Sequence, residues 1–117
     1  MIIKRDAVAP SAFGGLQVHD YTAGHDTSSS FAVVVVPPGA GHPEAYSQRS
    51  DKYYYVLSGR IHLTLDAKVW QLEAGDLCVV SVGQRFRYEN RESGPATLAL
   101  IHTPVFLLEA EIFTDQS

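Results

Sequence analysis

The fold class of this chain is clearest in the segment Lys52-Tyr53-Tyr54-Tyr55-Val56-Leu57-Ser58-Gly59. Aromatic and β-branched residues occupy positions 53–56 without a break, which is typical of a β-strand. A Ser-Gly pair then separates it from the next apolar run, residues 60–65. Glycine adopts a positive φ at little cost, and a two-residue link is the usual length of a hairpin turn. We therefore predict that these two runs form a β-hairpin.

Segments of the same kind lie on both sides of this one. Each is rich in strand-forming residues and is bounded by Gly, Pro, Ser or Asp, and together they span residues 31–36, 52–57, 60–65, 68–72, 77–81, 85–89 and 96–102. No stretch of a dozen residues carries a helical apolar period. Short strands at this spacing predict an all-β sandwich or barrel. Residues 1–30 are less regular, and residues 105–113 predict a strand or a short helix packed on the barrel.

Length and charge narrow the class of protein. A chain of 117 residues suits one domain with one core. The net charge is −4 and the nine Lys and Arg residues are scattered, which disfavours a nucleic-acid partner because phosphates require a cationic face. No apolar run is long enough to cross a bilayer, and no apolar segment after Met1 resembles a secretory signal. We predict a cytoplasmic protein without a membrane partner.

Three motifs resemble those of the cupin family. Pro38-Gly39 together with residues 52–59 resembles the first cupin motif, and Leu72-Glu73-Ala74-Gly75-Asp76 resembles the opening of the second. Ser81-Val82-Gly83, through Phe86 to Asn90, lies where the family has Pro-x-Gly, then His, then Asn. The resemblance covers residues 31–104 and implies an antiparallel jelly-roll barrel, or double-stranded β-helix. Residues 1–30 would add N-terminal strands and a loop, and residues 105–117 a C-terminal tail, to a single domain of residues 1–117.

The resemblance also implies a divalent metal bound by two His and a Glu of the first motif and a His of the second. Counted from Gly59 and Gly75, those positions hold Tyr46, Gln48, Lys52 and Phe86. One extra residue in the first motif would move the first pair to Ala45 and Ser47. A protonated lysine repels a cation and a phenyl ring offers no lone pair. We therefore predict no metal and no other cofactor.

A metal-dependent alternative requires other ligands. The candidates are His42 and Glu44, which we assign to the loop before the first motif, His62 on the polar face of its strand, and His102 near the end of the last one. This alternative would make the protein a dioxygenase-like cupin with unusual ligands.

Alternation along the first motif suggests what fills the barrel. Lys52, Tyr54 and Val56 share one face, and Lys52 stands at a ligand position, so this face is predicted to point inward. We predict a pocket whose catalytic residues are Lys52, Tyr54 and His102 and whose ligand-binding residues are Tyr46, Gln48, Phe86 and Tyr88. A buried lysine either meets an anionic ligand or loses its proton and acts as a base or nucleophile. The structural alternatives are a lysine that reaches solvent, a histidine bonded to a backbone carbonyl, and core tyrosines.

Two functions therefore stand beside the metal-dependent one. The first is a metal-independent isomerase, epimerase or lyase acting on a small anionic or carbonyl-bearing metabolite. The second is a cupin that binds a small molecule without catalysis. Both require a small-molecule ligand, and the fold alone does not separate them.

The opposite face of the first motif suggests a partner. Tyr53 and Tyr55 point outward by the same alternation. With the apolar tail, which contains Phe106, Leu107, Leu108, Ile112 and Phe113, they would leave an exposed apolar surface on a monomer. We predict a homodimer.

Overall fold

The computed structural model describes residues 1–114, which form two β-sheets with little helix. The eleven strands in this part of the chain are β1 (Ser11–Phe13), β2 (Leu16–Asp20), β3 (Ser30–Val36), β4 (Gly41–Ser47), β5 (Asp51–Ser58), β6 (Arg60–Leu65), β7 (Lys68–Glu73), β8 (Leu77–Val80), β9 (Phe86–Glu89), β10 (Ala96–Thr103) and β11 (Glu111–Phe113). Two 3-10 helices, Arg5–Ala7 and Leu108–Ala110, have three residues each. No helix among these residues is long and apolar enough to span a membrane.

The strands form two antiparallel sheets that face each other. One has six strands in the order β1-β2-β3-β10-β5-β8, and the other has five in the order β11-β4-β9-β6-β7. Apart from β1-β2-β3 and β6-β7, neighbours in these orders are distant in sequence, as when β10 inserts between β3 and β5. This is the predicted all-β jelly-roll barrel, because consecutive segments alternate between sheets instead of forming one meander.

The core lies between the inner faces of the sheets. On β5, Lys52, Tyr54 and Val56 are at most 2% exposed, whereas Tyr55 and Leu57 are 43% and 47% exposed. The inward face predicted from the alternation is therefore confirmed. Each large apolar side chain buried in this way contributes about 1.5–3 kcal/mol to stability.

The predicted hairpin between residues 52–57 and 60–65 is wrong. β5 pairs with β10 and β8 in one sheet, while β6 pairs with β7 and β9 in the other. Gly59 has a φ of 78°, and a Cβ there would lie 2.6 Å from the Pro95 carbonyl oxygen. The link is a corner at which the chain crosses between sheets. A hairpin does join β6 to β7, through Asp66 and Ala67 at φ 51° and 66°, the left-handed values of a type I′ turn.

The structure also contains strands that the sequence pattern did not predict. β4 carries His42, so the assignment of His42 and Glu44 to a loop is wrong. Gly41 and Pro43 obscure this strand, because both residues are unfavourable in regular strands. The β4–β9 register shifts between His42 and Ala45, which accommodates the irregularity. The tail contains both predicted alternatives, a 3-10 turn and then β11, while its residues 115–117 lie outside the described part of the chain.

Candidate functional site

A cavity of about 260 Å³ is enclosed by residues of both sheets and of the two terminal segments. Phe13 of β1 and Phe113 of β11 belong to its wall, which is mainly apolar. The polar lining residues are Ser11, Asp20, Ser30, His42, Lys52, Tyr54, Tyr88, His102 and Glu111. An apolar cavity with a few convergent polar groups is the usual form of a small-ligand site.

His42 reaches the cavity from β4 among aromatic rings. The ring centroids of Phe86 and Phe13 lie 4.9 Å and 5.2 Å from the imidazole centroid. Nδ1 lies 2.7 Å from the Pro43 carbonyl oxygen. Since a carbonyl only accepts, Nδ1 carries the proton and Nε2 presents its lone pair. Burial, aided by the charge of Lys52 and opposed by the Pro43 hydrogen bond, lowers the pKa of His42 to about 4. At neutral pH His42 is therefore an uncharged proton acceptor.

The phenol of Tyr88 lies beside this imidazole, and the phenol of Tyr54 lies beside Tyr88 in the same cavity lining. The Tyr88 ring centroid lies 5.6 Å from that of His42 and 5.5 Å from that of Tyr54. Burial raises the pKa of both hydroxyls well above the usual value, and for Tyr54 the nearby Tyr88 and Glu111 add to the effect. Both therefore stay protonated at neutral pH. They can donate hydrogen bonds to an oxygen of a ligand.

Lys52 and Glu111 form an ion pair inside the wall. Lys52 Nζ donates to Glu111 Oε1, and the two side chains are 2% and 4% exposed. Nζ also lies 4.6 Å from the Phe86 ring centroid, a cation–π distance. Burial lowers the pKa of Lys52, while the contact with Glu111 opposes that shift. Lys52 therefore has a partner within the protein and does not reach solvent.

His102 lies between β3 and β5 on the same inner face. In the strand register it pairs with Ser30 on one side and Lys52 on the other. It is 6% exposed, and Nε2 has no hydrogen-bond partner in the described part of the chain. Burial lowers its pKa to about 3, helped by the charges of Lys52 and His42. His102 is thus neutral at neutral pH, and it does not donate to a backbone carbonyl.

The residues at the expected ligand positions do not fit a divalent metal. The inward residues of β4 are Ala45 and Ser47, 0% and 2% exposed, and the Ser47 hydroxyl already accepts from the backbone N–H groups of Arg49 and Ser50. Lys52 and Phe86 complete the set and supply no suitable lone pair. Within residues 1–114, no group of three or more His, Cys, Asp or Glu converges. The alternative ligands His42, His62 and His102 therefore do not form a site.

The structure separates the predicted pocket residues into two groups. Four of them line the cavity: Lys52, Tyr54, Tyr88 and His102. Phe86 is buried behind the wall, beneath the Lys52 ammonium, and does not line it. The roles predicted for the four cavity residues remain predictions.

The placement of Tyr46 and Gln48 in the pocket is wrong. Tyr46 points away from the cavity and packs beneath the Arg85 guanidinium. The distance from Arg85 Cζ to the centroid of the Tyr46 ring is 5.7 Å. Gln48 is exposed. The structure adopts the alternative register with one extra residue, which turns Ala45 and Ser47 inward instead.

Three functional groups of the cavity were missed or misjudged from the sequence. Glu111 lies in the apolar tail, where no local pattern identifies a partner for Lys52. His42 was assigned to a loop. Asp20 was the most accessible to sequence reasoning, because it follows Leu16 and Val18 at the strand period and so shares their inward face.

The family description "Cupin domain" matches residues 32–102 of this chain. Among curated proteins, the tetracenomycin polyketide synthase protein TcmJ of Streptomyces glaucescens is 32% identical over 79 residues, covering 68% of this chain and 53% of TcmJ. The polyketide synthase CurC of Streptomyces cyaneus is 28% identical over 64 residues, covering 55% of this chain and 42% of CurC. The chain thus spans about half the length of these relatives.

Solved structures share the fold over nearly the whole chain. Two structures of Streptomyces PAC13 contain uridine, and in each a different tyrosine is replaced by phenylalanine. Both have a TM-score of 0.85 and 23% identity, covering 98% of this chain and 90% of PAC13. A PAC13 structure with a His-to-Gln replacement has a TM-score of 0.84 and 24% identity, covering 97% and 89%. KdgF from Halomonas has a TM-score of 0.79 and 17% identity, covering 89% and 93%. With the barrel topology and the family match over most of its length, this chain belongs to the cupin family.

Proposed function

We propose that this protein is a metal-independent lyase or isomerase that moves a proton on a small carbonyl- or hydroxyl-bearing metabolite. The observation that carries the proposal is that one cavity holds a neutral imidazole, the protonated phenol of Tyr88 beside it, and the protonated phenol of Tyr54 beside Tyr88. His42, with Nδ1 held by Pro43, presents Nε2 as the proton acceptor. Tyr54 and Tyr88 are the donors for an oxygen that gains negative charge. A positioned base and hydrogen-bond donors are the two components of such catalysis.

The chemistry follows from these roles. His42 takes a proton from the carbon next to a carbonyl, while a tyrosine hydroxyl donates to the carbonyl oxygen as its charge grows. In an elimination, the electron pair left on this carbon expels a hydroxyl group from the next carbon, which is two carbons from the carbonyl carbon. The imidazolium gives its proton to the departing hydroxyl group, so that water leaves. In an isomerisation, the same proton returns to a different atom. His42 thus takes the role of base that the sequence suggested for Lys52 or His102.

Related proteins support this class of reaction. Pac13 is a nucleoside dehydratase, and its structures with uridine carry replacements of a histidine and of two tyrosines. The present cavity contains the same residue types. Its volume of about 260 Å³ is at the lower end of ordinary ligand pockets, about 300–1,000 Å³, which suits a ligand no larger than a nucleoside. The names of TcmJ and CurC indicate polyketide synthesis, and polyketides are also rich in carbonyl groups.

The test combines binding with proton exchange. Uridine binding is followed by NMR, and exchange of carbon-bound hydrogen in D2O is followed on a panel of 3-hydroxyaldehydes and 1,3-diketones. We expect exchange in the presence of EDTA, a loss of about 100-fold or more in His42→Gln, and smaller losses in Tyr54→Phe and Tyr88→Phe. His25→Gln, at an exposed histidine that does not line the cavity, is the matched control and should keep full activity. Binding without exchange on any panel member would favour the non-catalytic cupin, and activity that requires added metal would contradict the proposal.

We also infer that the protein is a homodimer joined through the outer face of the six-stranded sheet. Tyr53 lies between Ile101 and Val79 in the register, and Tyr55 lies next to Leu77. These residues make an apolar surface with several members about half exposed. An exposed apolar patch of this kind is typical of an interface. In the tail, Phe106, Leu108 and Phe113 line the cavity, while Leu108 and Phe113 also remain 61% and 43% exposed.

Light scattering after size exclusion tests the dimer. We expect a dimer at micromolar concentration, a monomer for Val79→Asp, and a dimer for Val69→Asp, which changes an equally exposed valine on the other sheet. A monomeric wild type would refute the inference. The single domain of residues 1–117, the cytoplasmic location and the lack of nucleic-acid and membrane partners remain predictions from the sequence.

A further inference from the structure

The charged residues that line the cavity bear on the charge of its ligand, which the proposed type of reaction does not specify. Within residues 1–114, the lining residues with side chains charged near neutral pH are Asp20, Lys52 and Glu111. His42 and His102 are neutral there, since their pKa values are lowered to about 4 and about 3. The lining therefore carries a net charge of about −1 and offers a ligand no unpaired cation.

The cation in the wall is already engaged within the protein. Lys52 Nζ donates to Glu111 Oε1, and its other close neighbour is the face of Phe86 at 4.6 Å. The pair has no net charge whichever partner holds the proton. Glu111 cannot easily withdraw, because β11 is paired with β4 at the Glu111–Ser47 register position. Its side chain is 4% exposed, so a displaced carboxylate would be left buried without a counter-charge.

We propose that Glu111 determines the charge specificity of the site: by neutralising Lys52 it restricts the cavity to uncharged ligands and excludes phosphates and carboxylates. An anion entering the cavity would find the Lys52 ammonium already neutralised by Glu111 and would meet the negative charge of Asp20, so it would lose its hydration without gaining a cationic partner. An uncharged ligand meets no such barrier and can use the tyrosine donors. The proposal rests on the proposed function only in taking this cavity as the ligand site.

Two pairs of probes differ in charge; benzamide and benzoate also share nearly the same shape, whereas uridine 5′-monophosphate is larger than uridine by its phosphate, so the fragment pair separates charge from size. Uridine and uridine 5′-monophosphate test a nucleoside, and benzamide and benzoate test a fragment of any aromatic ligand. Binding to the wild type is measured by NMR titration at pH 7.5, where both anions are fully ionised. We expect the neutral member of each pair to bind at least about tenfold more tightly, because of the charge repulsion inside the cavity.

Variants identify the residue responsible. Glu111→Gln frees Lys52, and we expect it to shift the preference at least about tenfold toward the anion in both pairs. Glu111→Asp keeps the charge and should keep the neutral preference, which also supplies a folded variant if the glutamine variant is unstable. Glu109→Gln removes an exposed negative charge two residues away and is the matched control, with no expected shift.

Each outcome decides the proposal. Equal binding of benzamide and benzoate by the wild type, or the same shift in Glu109→Gln as in Glu111→Gln, would overturn it. A neutral preference among fragments when neither nucleotide nor nucleoside binds would support it while removing the nucleoside from the proposed function. No binding by any of the four probes would overturn the assignment of this cavity as a ligand site and, with it, the charge specificity.

Discussion

Acidification should destabilise this protein through two buried histidines. His42 and His102 have pKa values lowered to about 4 and about 3, against about 6.5 for an unfolded histidine. Between these values the unfolded chain binds more protons than the folded one, so stability is full above pH 6.5 and is lost as the pH falls. The groups that face them include Lys52, whose positive charge lowers both pKa values, while Ser30 adjoins His102 and Tyr88 adjoins His42.

The magnitude follows from one proton per histidine. A difference of one pH unit in this range is worth about 1.4 kcal/mol per group. The loss begins near pH 6.5, where the unfolded histidines start to bind protons. Lowering the pH from 7 to 5 therefore removes about 2 kcal/mol of stability per histidine, and about 4 kcal/mol for the pair, from a total of about 5–15 kcal/mol. Urea unfolding at the two pH values, at one protein concentration, measures the difference.

A variant isolates the contribution of His102. His102→Phe keeps a ring in the same place but removes one titrating group, so the loss between pH 7 and pH 5 should be smaller by about 2 kcal/mol. His25→Gln changes an exposed histidine and should behave like the wild type. If His102→Phe and the wild type lose the same free energy to within about 0.5 kcal/mol, the burial of a neutral His102 is refuted.

Three further changes test the packing that positions the cavity. Gly59→Ala should lower the free energy of unfolding by about 3 kcal/mol in urea, because the new Cβ would lie 2.6 Å from a backbone oxygen. Gly75→Ala is the control: its φ of 94° is similar but the space around it is open, so it should cost about 1 kcal/mol. Lys52→Met should cost about 3–5 kcal/mol by leaving Glu111 buried and unpaired, and a second change, Glu111→Leu, should recover most of this; no recovery would mean that the pair is not coupled. Asn90→Ala should lower the melting temperature by several degrees, since its buried amide donates to two backbone carbonyls at 2.8–2.9 Å, and an unchanged melting temperature would contradict that role.

Local pattern was sufficient for much of the barrel. The two-residue period of a strand assigns each side chain to a face, and the match of Lys52 to a ligand position of the cupin motif identified the face of Lys52 and Tyr54 as inward before any pairing was known. The same reasoning placed Tyr55 outside. The sequence also showed that Lys52 and Phe86 replace two metal ligands that the cupin family usually has, because these positions are counted at fixed distances from Gly59 and Gly75.

Local pattern failed where geometry depends on distant contacts. A Ser-Gly link fits a hairpin or a corner equally well, and only the pairing of β5 with β10 and of β6 with β9 decides between them. The irregular β4 concealed that His42 is part of the wall, and a shift of one residue there exchanged Tyr46 for Ala45.

The β-rich pattern established the all-β class, and its resemblance to the cupin motifs gave the inward face of β5 and the loss of the usual ligands at Lys52 and Phe86. The pairing of Lys52 with Glu111, 59 residues away, and the place of His42 in the cavity with Tyr54 and Tyr88 became known from the folded chain. The strand period acts only between neighbours along the chain. The partners of a buried charge are instead set by how the sheets close around it, and that depends on contacts across the whole barrel.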